Sequence, residues 1–132
     1  MKVGIDLVVV ERFKEISKNK RHLAKIFLPK ELEYIETKRS KLIDAGGNSN
    51  KPIENTIAGL YAGKEAVFKA SNVGVNNGIS FLDILIDHNN EGTPVVMLLN
   101  KMQDWQKTNK INEIELSITH DGGFASAICI MK

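Results

Sequence analysis

Three stretches of this sequence carry polar side chains where a packed core would reject them. The first is Asp6, set inside Val3-Gly4-Ile5-Asp6-Leu7-Val8-Val9-Val10, a run with the β-branched composition of a strand. An unpaired carboxylate buried there costs several kcal/mol, so Asp6 must be hydrogen-bonded, ion-paired, metal-bound or at a sheet edge. The second is Glu65, in Tyr61-Ala62-Gly63-Lys64-Glu65-Ala66-Val67-Phe68-Lys69-Ala70. On a helix, positions 61, 65 and 69 share a face, and Tyr61 argues that this face is not fully solvated. The third is Ser117-Ile118-Thr119-His120-Asp121-Gly122-Gly123, where a strand runs into a turn and offers an imidazole and two hydroxyls.

Each has a structural alternative. Asp6 can be an edge acid or the partner of a lysine. Glu65 and Lys69 can be a surface pair worth ~0.2–0.5 kcal/mol. His120 can be a strand-end residue bonded to the backbone. Taken together, the three allow oxygen-ligand metal chemistry. Two carboxylates from different elements can hold one Mg²⁺, which takes its remaining ligands from water and phosphate. Lys69, and less directly Lys64, would neutralise phosphate charge from the same helix, which fits phosphoryl or pyrophosphate chemistry on a nucleotide-like substrate. Zinc is disfavoured because no His/Cys ligand spacing occurs. A nucleophilic triad is unsupported: there is no Gly-x-Ser-x-Gly elbow, and Cys129 lies in an apolar run. Neither a P-loop nor a dinucleotide-binding fingerprint is present.

The elements that must position these groups come from an ordinary globular chain. Its 132 residues, 42% apolar and 26% charged, suit one domain spanning 1–132 and exclude a disordered tail or a disulfide-stapled miniprotein. No apolar run approaches the roughly 18–20 residues of a membrane span. Val3 to Val10 is interrupted by Asp6 and has no small-residue cleavage site behind it, so it does not read as a signal peptide. A single cysteine, Cys129, forms no internal disulfide and points to a reduced, cytoplasmic setting.

Periodicity predicts a strand over residues 2–10, with Val3, Ile5, Leu7 and Val9 on one face and Gly4, Asp6, Val8 and Val10 on the other, both looking buried. A broken helical stretch follows, interrupted near Lys18–Lys20, and then a helix from Pro29 to about Arg39. Residues 44–55 read as a mobile loop. A second helix is predicted from Asn55 or Thr56 to Ala70, with strands over 79–87, 94–99, 114–120 and 124–131 and a short polar helix over 101–108. Asp121-Gly122-Gly123 is a hairpin signal. The order is mixed helix and strand. From Arg12 to Lys30 seven basic residues face one acid, a formal +6 in a chain whose total is +2. This is either a solvated helix face or a docking surface for an acidic partner. Nucleic acid fits poorly, since neither aromatic interleaving nor a known module accompanies it.

Three motifs in order resemble the holo-[acyl-carrier-protein] synthases, small 4′-phosphopantetheinyl transferases of bacterial type. They are Gly4-Ile5-Asp6-Leu7 with Glu11-Arg12-Phe13, then Ala62 to Ala70 with its Lys-Glu-Ala-x-x-Lys-Ala core, then Ser117-Ile118-Thr119-His120 with Phe124-Ala125. Gly92-Thr93-Pro94 matches a Gly-x-Pro turn between them. The resemblance implies an α+β fold with an antiparallel sheet packed against a central helix. It implies that Asp6 and Glu65 bind Mg²⁺ and, with Lys69, form the catalytic set. Coenzyme A would be bound by Lys64, Lys69, Gly74, Pro94, Thr119 and His120, and an acidic acyl carrier protein would dock on Arg12, Lys20 and Arg21. A homotrimer with sites at subunit interfaces is implied too, with no nucleic-acid or membrane partner. The chain departs from the family pattern at Lys2, where a glycine is common, at Leu60, where an arginine is frequent, at Ser71-Asn72-Val73-Gly74, and in a longer 44–55 segment. The competing readings are a non-enzymatic module that docks an acidic partner and an Mg²⁺-dependent nucleotide hydrolase.

Overall fold

The valine-rich opening forms β1 (Lys2–Val9) in the computed structural model, which describes residues 1–46, 51–74 and 78–132. β1 pairs antiparallel along its whole length with β5 (Phe124–Met131), placing Asp6 opposite Ala127 and Gly4 opposite Cys129. β4 (Ile114–Asp121) pairs with the other edge of β5, so the sheet order is β1-β5-β4. The hairpin between β4 and β5 turns on Gly122 and Gly123, whose φ of 58° and 86° are the left-handed angles that a two-residue turn demands. A second antiparallel pair is made by β2 (Ile84–His88) and β3 (Pro94–Leu98).

Between β1 and the second pair lie three of the helices. Two 3₁₀ turns (Val10–Phe13 and Ile16–Lys18) lead into α1 (Lys20–Ile26), so the break falls near Lys18–Lys20, where the sequence suggests it. Asn19 caps α1 by accepting from the His22 amide at 3.0 Å. α2 (Pro29–Asp44) opens with proline in its first turn, and Glu31 turns back to accept from the Leu28 amide at 2.8 Å. α3 (Lys51–Ser71) is the central helix, and α4 (Asn100–Thr108) follows β3.

α3 lies across the inner face of the three-stranded sheet. Ile57, Ala58, Ala62, Ala66 and Val67 are fully buried on it, against Ala125, Ala127, Cys129 and Met131 of β5. The close fit has a local cause at Gly4. A methyl group there would overlap the Ala66 carbonyl oxygen and the Ala70 amide nitrogen. Glycine at this position therefore lets β1 press onto the C-terminal half of α3, the half that carries Glu65 and Lys69.

The structure departs from the sequence reading in four places. β1 is covered on one face only: Val3, Ile5, Leu7 and Val9 are 52%, 61%, 63% and 49% exposed. Phe124 and Ile128 of β5 continue that open apolar face. α2 runs to Asp44, five residues past the predicted end, with Leu42 half-buried. α3 begins at Lys51, so much of the stretch read as a loop is helix, its acidic first-turn residue Glu54 complementing the N-terminal dipole; residues 47–50 lie outside the described residues. Finally, the strand predicted over 79–87 starts only at Ile84. Phe81–Asp83 is a 3₁₀ turn closed by reciprocal bonds, Leu82 amide to Ser80 Oγ (3.2 Å) and Ser80 amide to Asp83 Oδ2 (2.8 Å).

Candidate active site

Strand alternation turns Asp6 inward, toward α3, where it is 9% exposed. Lys69 reaches across from α3 and donates to Asp6 Oδ1 at 2.8 Å. That hydrogen bond holds the Lys69 ammonium above its ordinary pKa, and the charges of Asp6 and Glu65 act in the same direction. Asp6 and Glu65, from β1 and α3, thus both act on one ammonium, that of Lys69. Ser126 Oγ steadies the strand by donating to the Asp6 carbonyl at 2.9 Å. The second carboxylate oxygen, Asp6 Oδ2, is buried with no hydrogen-bond partner. A buried anionic oxygen left unpaired is costly unless a cation or donor completes it. Among the described residues no cluster of three His, Cys, Asp or Glu side chains could hold a metal. Any cation at Asp6 and Glu65 would take its other ligands from water or substrate, as Mg²⁺ does.

Lys64 does not belong to this group, contrary to the sequence reading. Its side chain is fully buried, 2.7 Å from Glu31 Oε1, and donates to the carbonyls of Phe81 and Ile84 at 2.8 Å each. On a helix a neighbour of Glu65 points about 100° away from it, and here that direction is the core. All three ammonium donors are used, leaving none for a phosphate.

One turn before Glu65, Tyr61 packs between Phe13 and Phe81 with ring centroids 5.1 and 5.4 Å away. Its hydroxyl accepts from Arg12 Nη2 at 3.3 Å, and the guanidinium lies 5.2 Å from the ring centre. Burial and the facing Glu65 carboxylate push the phenol above its ordinary pKa. Arg12, Lys20 and Arg21 are all exposed, as a docking surface requires. The +6 of the basic stretch is partly used locally: Lys30 pairs with Asp87 at 2.7 Å, Lys14 lies 4.0 Å from Glu11, and Lys18 lies 3.9 Å from Glu15. Lys20, Arg21 and Lys25 form no ion pair among the described residues.

A cleft of about 240 Å³ opens beside the N-terminal half of α3. His120 and Pro94 line it, as do Thr56, Lys38, Tyr34 and His88. The rings of Tyr34 and His88 are stacked, 3.8 Å apart and 4° from parallel, with the Lys38 ammonium 5.5 Å from the Tyr34 ring centre. His88 Nδ1 is buried without a partner, and burial lowers the pKa of the ring. Sequence reasoning missed these three residues. Tyr34 and Lys38 stand four apart on α2, a spacing that makes helix neighbours, but nothing local ties them to the end of β2. Leu60, where the family often has arginine, also lines the cleft.

Two further residues named by the resemblance lie as follows. The resemblance groups Thr119 and His120 at one ligand, but within one chain successive strand residues face opposite sides. His120 lines the cleft with Pro94; Thr119, paired with Ser126, faces the open side of the sheet with Leu7. Gly74 is exposed just beyond α3.

Comparison with known proteins gives the family. The family model described as the 4′-phosphopantetheinyl transferase superfamily matches residues 2–129. The holo-[acyl-carrier-protein] synthase of Caldicellulosiruptor saccharolyticus is 40% identical over 130 residues, covering 98% of this chain and 94% of that protein. The synthase of Wolinella succinogenes is 36% identical over 132 residues, covering 98% and 96%. The crystal structure of the Helicobacter pylori synthase in complex with coenzyme A matches with a TM-score of 0.78 at 29% identity, covering 98% of this chain and 99% of that one. With the match running from the strand that carries Asp6 to the one that carries Cys129, this chain belongs to the 4′-phosphopantetheinyl transferase superfamily.

Proposed function

We propose that this chain, acting as one transferase domain, moves 4′-phosphopantetheine from coenzyme A to a serine of an apo-acyl carrier protein. The serine oxygen bonds to the β-phosphorus of coenzyme A, and the bond from that phosphorus to the α-phosphate oxygen breaks. The departing product is adenosine 3′,5′-bisphosphate. The reading is carried by Asp6: one oxygen on Lys69, the other buried and unpartnered, with the Glu65 charge acting on the same Lys69 ammonium. Asp6 and Glu65 would hold Mg²⁺, which when bound offsets negative charge on the pyrophosphate. Lys69 adds a cation at the same place. The serine proton goes to Glu65 or to a water held by Asp6 and Glu65.

The other parts of the molecule support the same reading. The cleft at His120 and Pro94, with Lys38 and the Tyr34–His88 stack, suits the nucleotide end of coenzyme A. Arg12, Lys20 and Arg21 suit an acidic carrier protein. The open apolar face of β1 and β5 suits a homotrimer, in which Thr119, on that face, would meet a neighbouring subunit. Cys129, free and buried, suits a reducing cytoplasm, and no described helix is long and apolar enough to cross a membrane.

The test is intact-protein mass spectrometry of apo-acyl carrier protein incubated with this chain, coenzyme A and Mg²⁺. A gain of one phosphopantetheine is expected, lost with EDTA and lost in Asp6→Asn and Glu65→Gln variants that keep their helical circular dichroism. No gain with several carrier proteins would overturn the reading in favour of a docking module. A gain retained by Asp6→Asn would overturn the metal assignment.

A further inference from the structure

The cleft beside the N-terminal half of α3 draws all of its positive charge from other elements. α3 lends it Thr56, Gly59 and Leu60, which carry none. Lys38 of α2 and His120 of β4 line this cleft and also an adjoining one, where Lys41 joins them. Positions 34, 38 and 41 share one face of α2. No aspartate or glutamate among the described residues lines either cleft. Asp87, next in sequence to His88, faces the other side of β2 and is held by Lys30 at 2.7 Å. Lys38 is exposed and forms no ion pair among the described residues. Its ammonium lies 5.5 Å from the centre of the Tyr34 ring, and that ring is stacked on His88 at 3.8 Å. A ring face fixes where an ammonium sits without using up its three N–H donors. Five residues along a helix turn Leu60 about 140° away from Glu65. The anion that suits this cleft is therefore not the group held at Asp6 and Glu65 of the same chain.

We propose that Lys38 is a specificity-determining residue that selects a nucleotide bearing a phosphomonoester on its ribose. The proposal rests on the transferase reading above, in which that group is the 3′-phosphate that coenzyme A carries besides its pyrophosphate. Lys38 donates to the phosphate in a charge-assisted hydrogen bond, and Lys41 adds a second cation from the same helix face. Tyr34 is a positioning residue: its ring holds the Lys38 ammonium at the cleft, and His88 backs the ring. A nucleotide that lacks the phosphomonoester leaves Lys38 with the ring alone. Selection is thus made by α2, which carries none of the residues that act on the pyrophosphate.

Isothermal titration calorimetry of the full chain, without carrier protein, tests this with two probes: adenosine 3′,5′-bisphosphate and adenosine 5′-phosphate. The parent chain should bind the bisphosphate about tenfold or more tightly, the scale of one hydrogen bond to a charged group. Lys38→Met should remove most of that preference, and Lys38→Arg should keep it. Tyr34→Leu should weaken the preference, whereas Tyr34→Phe, which keeps the ring, should preserve it. Lys38 is exposed, so its variants should melt near the parent temperature. Equal binding of both probes by the parent, or an undiminished preference in Lys38→Met, would overturn the assignment. Equal losses in Tyr34→Phe and Tyr34→Leu would overturn the positioning role. Absence of transfer from coenzyme A by the unsubstituted chain would instead sink the transferase reading, which the titrations do not measure, so the two failures are distinguishable.

Discussion

The ammonium of Lys64 lies 2.7 Å from Glu31 Oε1 with both side chains fully shielded from solvent, tying the middle of α3 to the start of α2. Glu31 Oε1 also accepts from the Leu28 amide at 2.8 Å and Oε2 from the Ile86 amide at 2.9 Å. Four segments therefore meet at one ion pair: α2, α3, the 3₁₀ turn at Phe81, and β2. Burial pushes the Glu31 carboxyl up and the Lys64 amine down, so each ion persists only because the other is present. Lys64 supports Glu65 by locking the helix that carries it.

Removing one ion should cost far more than removing both. Lys64→Met is expected to destabilise the fold by about 3–5 kcal/mol, because Glu31 is left buried and unpaired. Adding Glu31→Gln should recover roughly half of that loss, since a neutral amide oxygen keeps one of the backbone contacts. Urea unfolding of the two single variants and the double variant reads this directly. Additive losses would mean that the pair contributes nothing as a pair.

Charge reversal at Lys20 and Arg21 addresses the docking surface. Both are exposed on α1 and no described carboxylate pairs with them. The double Glu variant should raise KM for the carrier protein by about tenfold or more while leaving KM for coenzyme A unchanged, and the effect should shrink as salt is added. Equal changes for both substrates would show that the substitution acts on the fold instead.

His88 predicts a pH dependence of stability with a definite sign. Its pKa in the folded chain lies below the ordinary 6.5, chiefly through burial, with Lys38 lowering it further and Asp87 opposing. The unfolded chain therefore takes up the His88 proton first. Stability should fall as pH drops through about 6.5, since the unfolded state binds more protons there. Thermal melts between pH 7.5 and 5.5 should show a shallower fall in His88→Gln than in the parent chain. An identical slope would mean that His88 is readily protonated in the folded state.

Most of the chemistry was legible because it lies in local patterns. Asp6 stood out as a carboxylate in a strand, and Glu65 and Lys69 as helix neighbours four residues apart. Their convergence depends on Gly4, whose missing side chain is a local fact with a long-range effect. Lys64 misled because adjacency in sequence is not adjacency in space on a helix, and Thr119 because it is not so on a strand. The cleft residues Tyr34, Lys38 and His88 were illegible for a different reason: they meet only when α2 packs beside β2. The open face of β1 was misread because an apolar alternation looks the same whether its cover comes from the chain itself or from elsewhere.

Cys129 sits in β5, the middle strand of its sheet, fully enclosed, with burial pushing its thiol up to about 12. At pH 8 it is neither ionised nor reachable while the strand is in place. A thiol reagent can then act only during the moments when the sheet parts from α3, so the labelling rate measures how often that happens. The chain carries a single-atom stopwatch for its own opening, set one strand away from Asp6 and needing no introduced cysteine.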